Sequence, residues 1–97
     1  MTSYTFHQSA ELELVDAARY YEARSQGLGR AFLAEVDRAV VQVLTLPLAG
    51  EAVLGEVRRK MLRRFPYSLF YAVEPDRVVF LAVAHQKRRP LYWSGRT

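Results

Sequence analysis

The chain has 97 residues, of which 51% are hydrophobic, so it can bury one core and is expected to form a single domain over residues 1–97. No apolar run approaches the roughly 20 residues of a membrane span, and the first residues, MTSYTFHQ, lack the regions of a secretory signal. The absence of cysteine excludes disulfides and thiolate metal sites. We expect a cytoplasmic protein without membrane contact, and the sequence indicates no cofactor and no metal.

Charge is distributed unevenly along the chain, whose net charge is +4. Residues 1–48 carry four Arg and six acidic residues, a balance of −2. Residues 49–97 carry ten Lys or Arg and four acidic residues, a balance of +6. Such asymmetry indicates a surface that meets nucleic acid or an acidic protein, although a solvated basic surface has the same pattern.

The first half of the chain predicts one strand and two helices. Alternation predicts a strand over residues 4–7, and Ser9 is the expected N-cap of a helix over residues 10–25. Glycines at 27 and 29 break that helix, and a second one is predicted over residues 28–46, where Pro47 ends it. Four acidic residues of the first helix are expected to face solvent: Glu11, Glu13, Asp16 and Glu22.

The second half changes to the two-residue period of strands. Residues 47–55 are predicted to form a loop, followed by strands over residues 56–64, 67–73 and 78–84. The residues EPDR at 74–77 predict a turn. The expected fold is therefore α+β, in the order β-α-α-β-β-β, with an antiparallel sheet packed against a helical hairpin.

The strand over residues 56–64 carries much of the positive charge. Alternation assigns Val57, Arg59, Met61 and Arg63 to one face, and Arg58, Lys60, Leu62 and Arg64 to the other. These cations therefore cannot all point at one ligand. Some are expected to protect an edge strand from unwanted pairing.

Residues 85–93, with the sequence HQKRRPLYW, are the most informative short segment. Arg side chains bind phosphate or carboxylate in a bidentate manner, aromatic rings stack on bases, and a His transfers protons near neutral pH. A structural role fits the same residues: His85 would bond a strand-end carbonyl, and Tyr92 and Trp93 would hold the tail against the core. The sequence leaves both roles open.

Four stretches, taken together and in this order, resemble the RelE/ParE superfamily of toxins from type II toxin–antitoxin systems. The resemblance is closest to the ParE-type members, also called plasmid-stabilisation proteins. The stretches are AELELVDAARYYE at 10–22, GLGRAFLAEV at 27–36, RFPYSLFY at 64–71 and LAVAHQKRRPLYWSGR at 81–96.

The resemblance implies a microbial-ribonuclease-like fold and a toxin that arrests growth. It also implies a cognate antitoxin, which would fold onto the toxin in a hetero-oligomer and neutralise it. RelE-type members cut messenger RNA on the ribosome, whereas ParE-type members inhibit DNA gyrase by protein contact without cutting nucleic acid. An inactive member that only binds its antitoxin is a third possibility.

The residues that carry RNA cleavage in RelE-type members are only partly present. Tyr92 matches the tail Tyr of that branch, and Arg59 falls near the first of its basic positions. Other ribonuclease members place a His near the end of the last strand, and His85 could serve in the same way. Met61, Ser68 and Gln86 replace basic residues of that branch. If the chain is an enzyme, we expect a metal-independent endoribonuclease with His85, Arg59 and Tyr92 as catalytic residues. The candidate target- or phosphate-binding residues are Arg58, Arg63, Arg64, Lys87, Arg88, Arg89, Trp93 and Arg96.

Overall fold

The computed structural model describes residues 3–97, which form a helical hairpin against one face of a five-stranded sheet. The helices are α1 (Gln8–Arg24) and α2 (Leu28–Thr45), and short 3-10 turns lie at Pro47–Ala49 and Ser94–Arg96. The strands are β1 (Ser3–Phe6), β2 (Glu51–Leu54), β3 (Val57–Met61), β4 (Tyr67–Val73) and β5 (Arg77–His85). The α+β class and the order of the predicted elements are confirmed, and one strand is added.

The sheet has the strand order β1-β5-β4-β3-β2. The predicted antiparallel pairing of β3 with β4 and of β4 with β5 is confirmed, and β2 also pairs antiparallel with β3. In contrast, β1 runs parallel to β5, with Ser3 opposite Arg77 and Phe6 opposite Phe80. All the elements from α1 to β4 lie between these two strands in the chain and supply the long connection that a parallel pair needs. The prediction of a loop over residues 47–55 is wrong for β2, a short and mostly exposed edge strand without clear alternation.

The helix boundaries differ slightly from the predicted ones. Helix α1 begins at Gln8, and its N-cap is His7 rather than Ser9: the His7 Nδ1 accepts the Ser9 N–H at 3.1 Å. Glu22 is exposed, as predicted, and its carboxylate also accepts the N–H groups of Gly27 and Gly29, each at 3.0 Å. It thereby satisfies donors at the start of α2. Within residues 3–97, neither helix combines the length and apolar character that crossing a bilayer requires.

Apolar side chains pack on both faces of the sheet. The larger core lies between the sheet and the hairpin, where Phe32 of α2 belongs to one buried cluster with Leu69, Tyr71 and Phe80. On the other face, Trp93 of the C-terminal tail is 1% exposed and stacks on Phe70, with 5.0 Å between ring centroids. The tail is therefore part of the folded domain, and it covers only part of the face that the helices leave free.

We predict that Gly29→Ala destabilises the protein by about 1–3 kcal/mol. A Cβ at position 29 would lie 2.5 Å from the Ala18 carbonyl oxygen and 3.0 Å from the Glu22 Cβ. This clash outweighs the gain of about 1 kcal/mol that Ala brings to a helix. Gly95→Ala is the matched control, because nothing lies within 4 Å of its Cβ position. Urea unfolding measures both variants; a Gly29→Ala protein as stable as the Gly95→Ala protein would contradict this packing.

Candidate target-binding site

A pocket of about 360 Å³ opens on the helix-free face of the sheet. Its floor is formed by Ser68, Phe70 and Ala84, one wall by β3, and the other wall by the C-terminal tail. This volume lies within the range of small-molecule or side-chain binding sites, roughly 300–1,000 Å³. Six predicted site residues contribute to the lining: Arg59, His85, Arg88, Arg89, Tyr92 and Trp93.

The predicted alternation is confirmed within β3 and decides which of its cations reach this pocket. Arg59 and Met61 line it, whereas Leu62 packs into the core beneath the helices. The prediction is wrong for Arg63, because β3 ends at Met61 and Arg63 lies on the side of Arg64. Arg59 forms an ion pair with Glu51 of β2, and its buried Nε has no hydrogen-bond partner. Arg58 donates to the carbonyls of residues 48 and 50 at 3.1 and 2.8 Å, so it braces the edge of the sheet instead of reaching the pocket.

His85 lies at the end of β5 and is half-buried. Its Nδ1 accepts the Lys87 N–H at 3.0 Å, and its ring meets the edge of Tyr67 at a centroid distance of 5.2 Å. In this arrangement the neutral imidazole carries its proton on Nε2. The expected bond from His85 to a strand-end carbonyl is replaced by this bond to the turn that begins the tail.

Glu13 of α1 is the centre of the polar network beside the pocket. Its carboxylate accepts the Tyr92 hydroxyl at 2.8 Å, the Val83 N–H at 3.0 Å, and two Arg96 N–H groups at 2.9 and 3.0 Å. Arg96 also donates to the Leu81 carbonyl at 2.9 Å. The expectation that Glu13 faces solvent is therefore wrong. Little in the sequence indicates that Glu13 is partly buried. Helix α1 has little amphipathic character, so its pattern does not separate Glu13 from the exposed Glu11.

The protonation of this network follows from its contacts. Burial would raise the pKa of Glu13, but hydrogen bonds from Arg96, Val83 and Tyr92, together with the charge of Arg96, hold it below the usual value of 4.5. Burial and the bond to Glu13 raise the pKa of the Tyr92 phenol far above its usual value. Tyr92 therefore stays protonated near neutral pH and cannot act as a proton acceptor there.

Two predicted binding residues are taken up by internal contacts. The burial of Trp93 contradicts the expectation that its ring stacks on a ligand, because the ring is already packed on Phe70. Arg96, with 18% of its side chain exposed, is paired with Glu13 and the β5 edge. Trp93 thus has the structural role that the sequence had left open for it, and Arg96 also holds the tail in place, a role that was not predicted.

The exposed cations of the tail are Lys87, Arg88 and Arg89, here called the basic tail segment. The Arg88 guanidinium lies 3.8 Å from the centre of the Tyr92 ring, a cation–π contact that orients it beside the pocket. Arg88 lies 4.0 Å from Glu13 and is half exposed. The segment therefore offers three cations to a partner next to an apolar floor.

Arg63 and Arg64 lie apart from this pocket, in the turn between β3 and β4. Both are exposed and line a second pocket, on the α2 side, together with Arg38 and Lys60. The carboxylate of Glu35 accepts the backbone N–H groups of Arg63 and Arg64, the latter at 2.9 Å. The burial of Glu35 was not predicted. Its position between Phe32 and Val36, on the apolar face of α2, is the feature of the sequence that indicates it.

The predicted site residues therefore divide into three groups. Six line the open pocket, although Tyr92 and Trp93 do so while held by internal contacts. Arg63 and Arg64 form a second basic surface, and the rest are structural or lie beside the pocket. Within residues 3–97, no three His, Asp or Glu side chains lie close enough together to hold a metal ion. The arrangement suits the binding of an anionic partner by the rim of a sheet.

A helical hairpin over a five-stranded mixed sheet with a basic free face defines the class of RelE/ParE-type toxins. The sequence pattern of the family "ParE toxin of type II toxin-antitoxin system, parDE" matches residues 4–90, and the chain belongs to this family. No curated protein sequence gives a significant match. Among solved structures, the chromosomal ParDE system of P. aeruginosa has a similar chain, with a TM-score of 0.64 and 22% identity over 88% of this chain and 96% of that one. That likeness supports the fold.

We predict that the stabilising effect of Glu13 is lost in acid. Because folding lowers the pKa of Glu13, its contribution to stability is complete above the unfolded value of 4.5 and disappears as the pH falls through the folded value. The difference in unfolding free energy between wild type and Glu13→Gln should therefore be largest near about pH 7 and shrink towards about pH 3. Urea unfolding across this range measures it, with Glu11→Gln as the exposed control. A difference that does not depend on pH would refute the ionised network.

Proposed function

We propose that the chain arrests growth by binding an essential protein target in the cytoplasm, with DNA gyrase the favoured target, and that a cognate antitoxin neutralises it. The observation that carries the proposal is membership of the ParE toxin family over residues 4–90. The basic tail segment supports it, because exposed cations accelerate encounter with an anionic surface. The action would require contact and no cleavage of nucleic acid.

The pocket supports binding better than it supports RNA cleavage. Met61 and Ser68 occupy lining positions where RelE-type members have basic residues, so fewer cations surround a bound phosphate. The Tyr92 hydroxyl donates a hydrogen bond to Glu13 and stays protonated, so it is unsuited to accept a proton from a ribose hydroxyl. Arg59 already has a carboxylate partner in Glu51.

A ribosome-dependent endoribonuclease is the second candidate, and one observation favours it: Arg59, His85 and Tyr92 all line the same pocket. In that mechanism the 2′-hydroxyl of RNA attacks the adjacent phosphate and the 5′-oxygen leaves. His85 would transfer a proton from the attacking 2′-hydroxyl to the leaving 5′-oxygen. Arg59 or Arg88 would stabilise the charge on the phosphate oxygens. His85→Ala would then slow cleavage of messenger RNA on programmed ribosomes by about 10²- to 10⁴-fold.

The antitoxin is expected to carry an acidic, amphipathic segment. Such a segment would complement the +6 balance of residues 49–97 and cover apolar surface as it folds. A toxin–antitoxin hetero-oligomer is the resting form that this complementarity supports. If the chain is instead an inactive member of the family, it would keep the interaction with the antitoxin and would not affect growth.

The test combines induction without antitoxin and a supercoiling assay with purified gyrase. We expect growth arrest and inhibited supercoiling, while translation on programmed ribosomes continues. The double variant Arg88→Glu/Arg89→Glu should need about tenfold or more protein for the same inhibition, because it reverses the charge that steers association. Arg19→Glu, exposed on α1, is the control and should match wild type.

Supercoiling that is unaffected by a large molar excess of the wild-type chain would refute the gyrase target. Cleaved messenger RNA in the same samples would favour the endoribonuclease. Undisturbed growth would indicate the inactive member.

A further inference from the structure

The C-terminal segment, residues 86–97, has little structure of its own. Its backbone hydrogen bonds are mostly local, and the bond from the Gln86 N–H to the Pro66 carbonyl is the backbone bond that joins it to another part of the fold. Leu91 has a φ of 61°, a left-handed conformation that costs a residue with a Cβ roughly 1–2 kcal/mol. Side chains must therefore keep this segment in place.

Two contacts do so, and they lie on different sides of β5. Trp93 packs on the helix-free face against Phe70. Tyr92 and Arg96 reach the edge of β5, where Glu13 accepts hydrogen bonds from both. A carboxylate offers about four acceptor positions, and Glu13 uses four through these two residues and the Val83 N–H.

The edge contact controls the position of the pocket wall. Arg88 stacks on the Tyr92 ring, and the Tyr92 hydroxyl is held by Glu13. The guanidinium of Arg88 is therefore oriented by a side chain that itself depends on α1. Arg88, Arg89 and Tyr92 all line the pocket, so movement of the tail would change its shape and its charge.

We propose that Glu13 is a positioning residue that latches the C-terminal segment to the edge of β5 and thereby sets the affinity of the pocket and the basic tail segment for the target. The effect on affinity depends on the proposed function, whereas the latch itself does not. Glu13 does not touch the target. Because Glu13 already holds the tail in the free protein, the tail loses less conformational entropy when the target binds. The affinity therefore rises although Glu13 adds no contact with the target.

The principal variant is Glu13→Gln, which keeps the size of the side chain. It loses the negative charge and places an amide N–H₂ group next to the N–H donors of Arg96, so the tail contacts weaken. Glu11→Gln, exposed two residues earlier on the same helix, is the matched control. Arg96→Gln breaks the latch from the other side and serves if the first variant does not fold.

Hydrogen exchange of the free protein tests the latch. In Glu13→Gln we expect the amides of residues 92–96 to exchange at least about tenfold faster than the loss of global stability explains, whereas those of β4 change only with that global stability. Glu11→Gln should match wild type throughout. Tail amides as protected in Glu13→Gln and Arg96→Gln as in wild type would overturn the latch.

Growth arrest on graded induction, without antitoxin, tests the consequence in the same variants. Glu13→Gln and Arg96→Gln should need about tenfold more inducer-driven protein to arrest growth, and Glu11→Gln should not. A freed tail with unchanged arrest would overturn the positioning role. If wild type itself leaves growth undisturbed, the proposed function and the effect on affinity both fail, and the exchange rates alone decide whether the latch exists.

Discussion

Strand β5 continues beyond Phe80, where β1 ends, and the polar backbone of its edge must find partners other than a strand. The Val83 N–H donates a hydrogen bond to the Glu13 carboxylate, and the Leu81 carbonyl accepts one from Arg96. Glu13 and Arg96 also form an ion pair with each other. The same pair therefore supplies hydrogen-bond partners to the backbone of β5 and holds the tail in place. An unsatisfied buried backbone group costs about 1–3 kcal/mol, so the pair is both a cap for the sheet and a support for the pocket.

The helical hairpin has a second contact of the same kind. Glu35 of α2 accepts the N–H groups of Arg63 and Arg64, as Glu13 of α1 holds the tail. Each helix therefore contributes one carboxylate to an irregular segment that carries exposed arginines. The hairpin is more than a cover for the core, because it positions the cations of both basic surfaces. These contacts link the acidic first half of the sequence to the basic second half.

The sequence predicts well where a repeated pattern exists. The two helices, β3, β4 and β5 follow from apolar periodicity, and the alternation in β3 places Arg59 and Met61 on the pocket side. Strand β2 was missed because its four residues, three of them exposed, carry no regular apolar period. Glu13 and Glu35 were missed because an acidic residue on a helix usually faces solvent, and their partners lie 28 to 83 residues away in the chain. The burial of Trp93 depends on where the tail turns, which no local pattern determines.

The most direct test of this account is a double-mutant cycle on Glu13 and Arg96. Urea unfolding of wild type, Glu13→Gln, Arg96→Gln and the double variant gives their coupling energy, which we predict to be about 1–3 kcal/mol for this largely buried pair. The exposed pair Glu74 and Arg77, whose closest atoms are 3.0 Å apart, is the reference and should couple by no more than about 0.5 kcal/mol. Equal coupling in the two pairs would contradict the central role of the Glu13 contact.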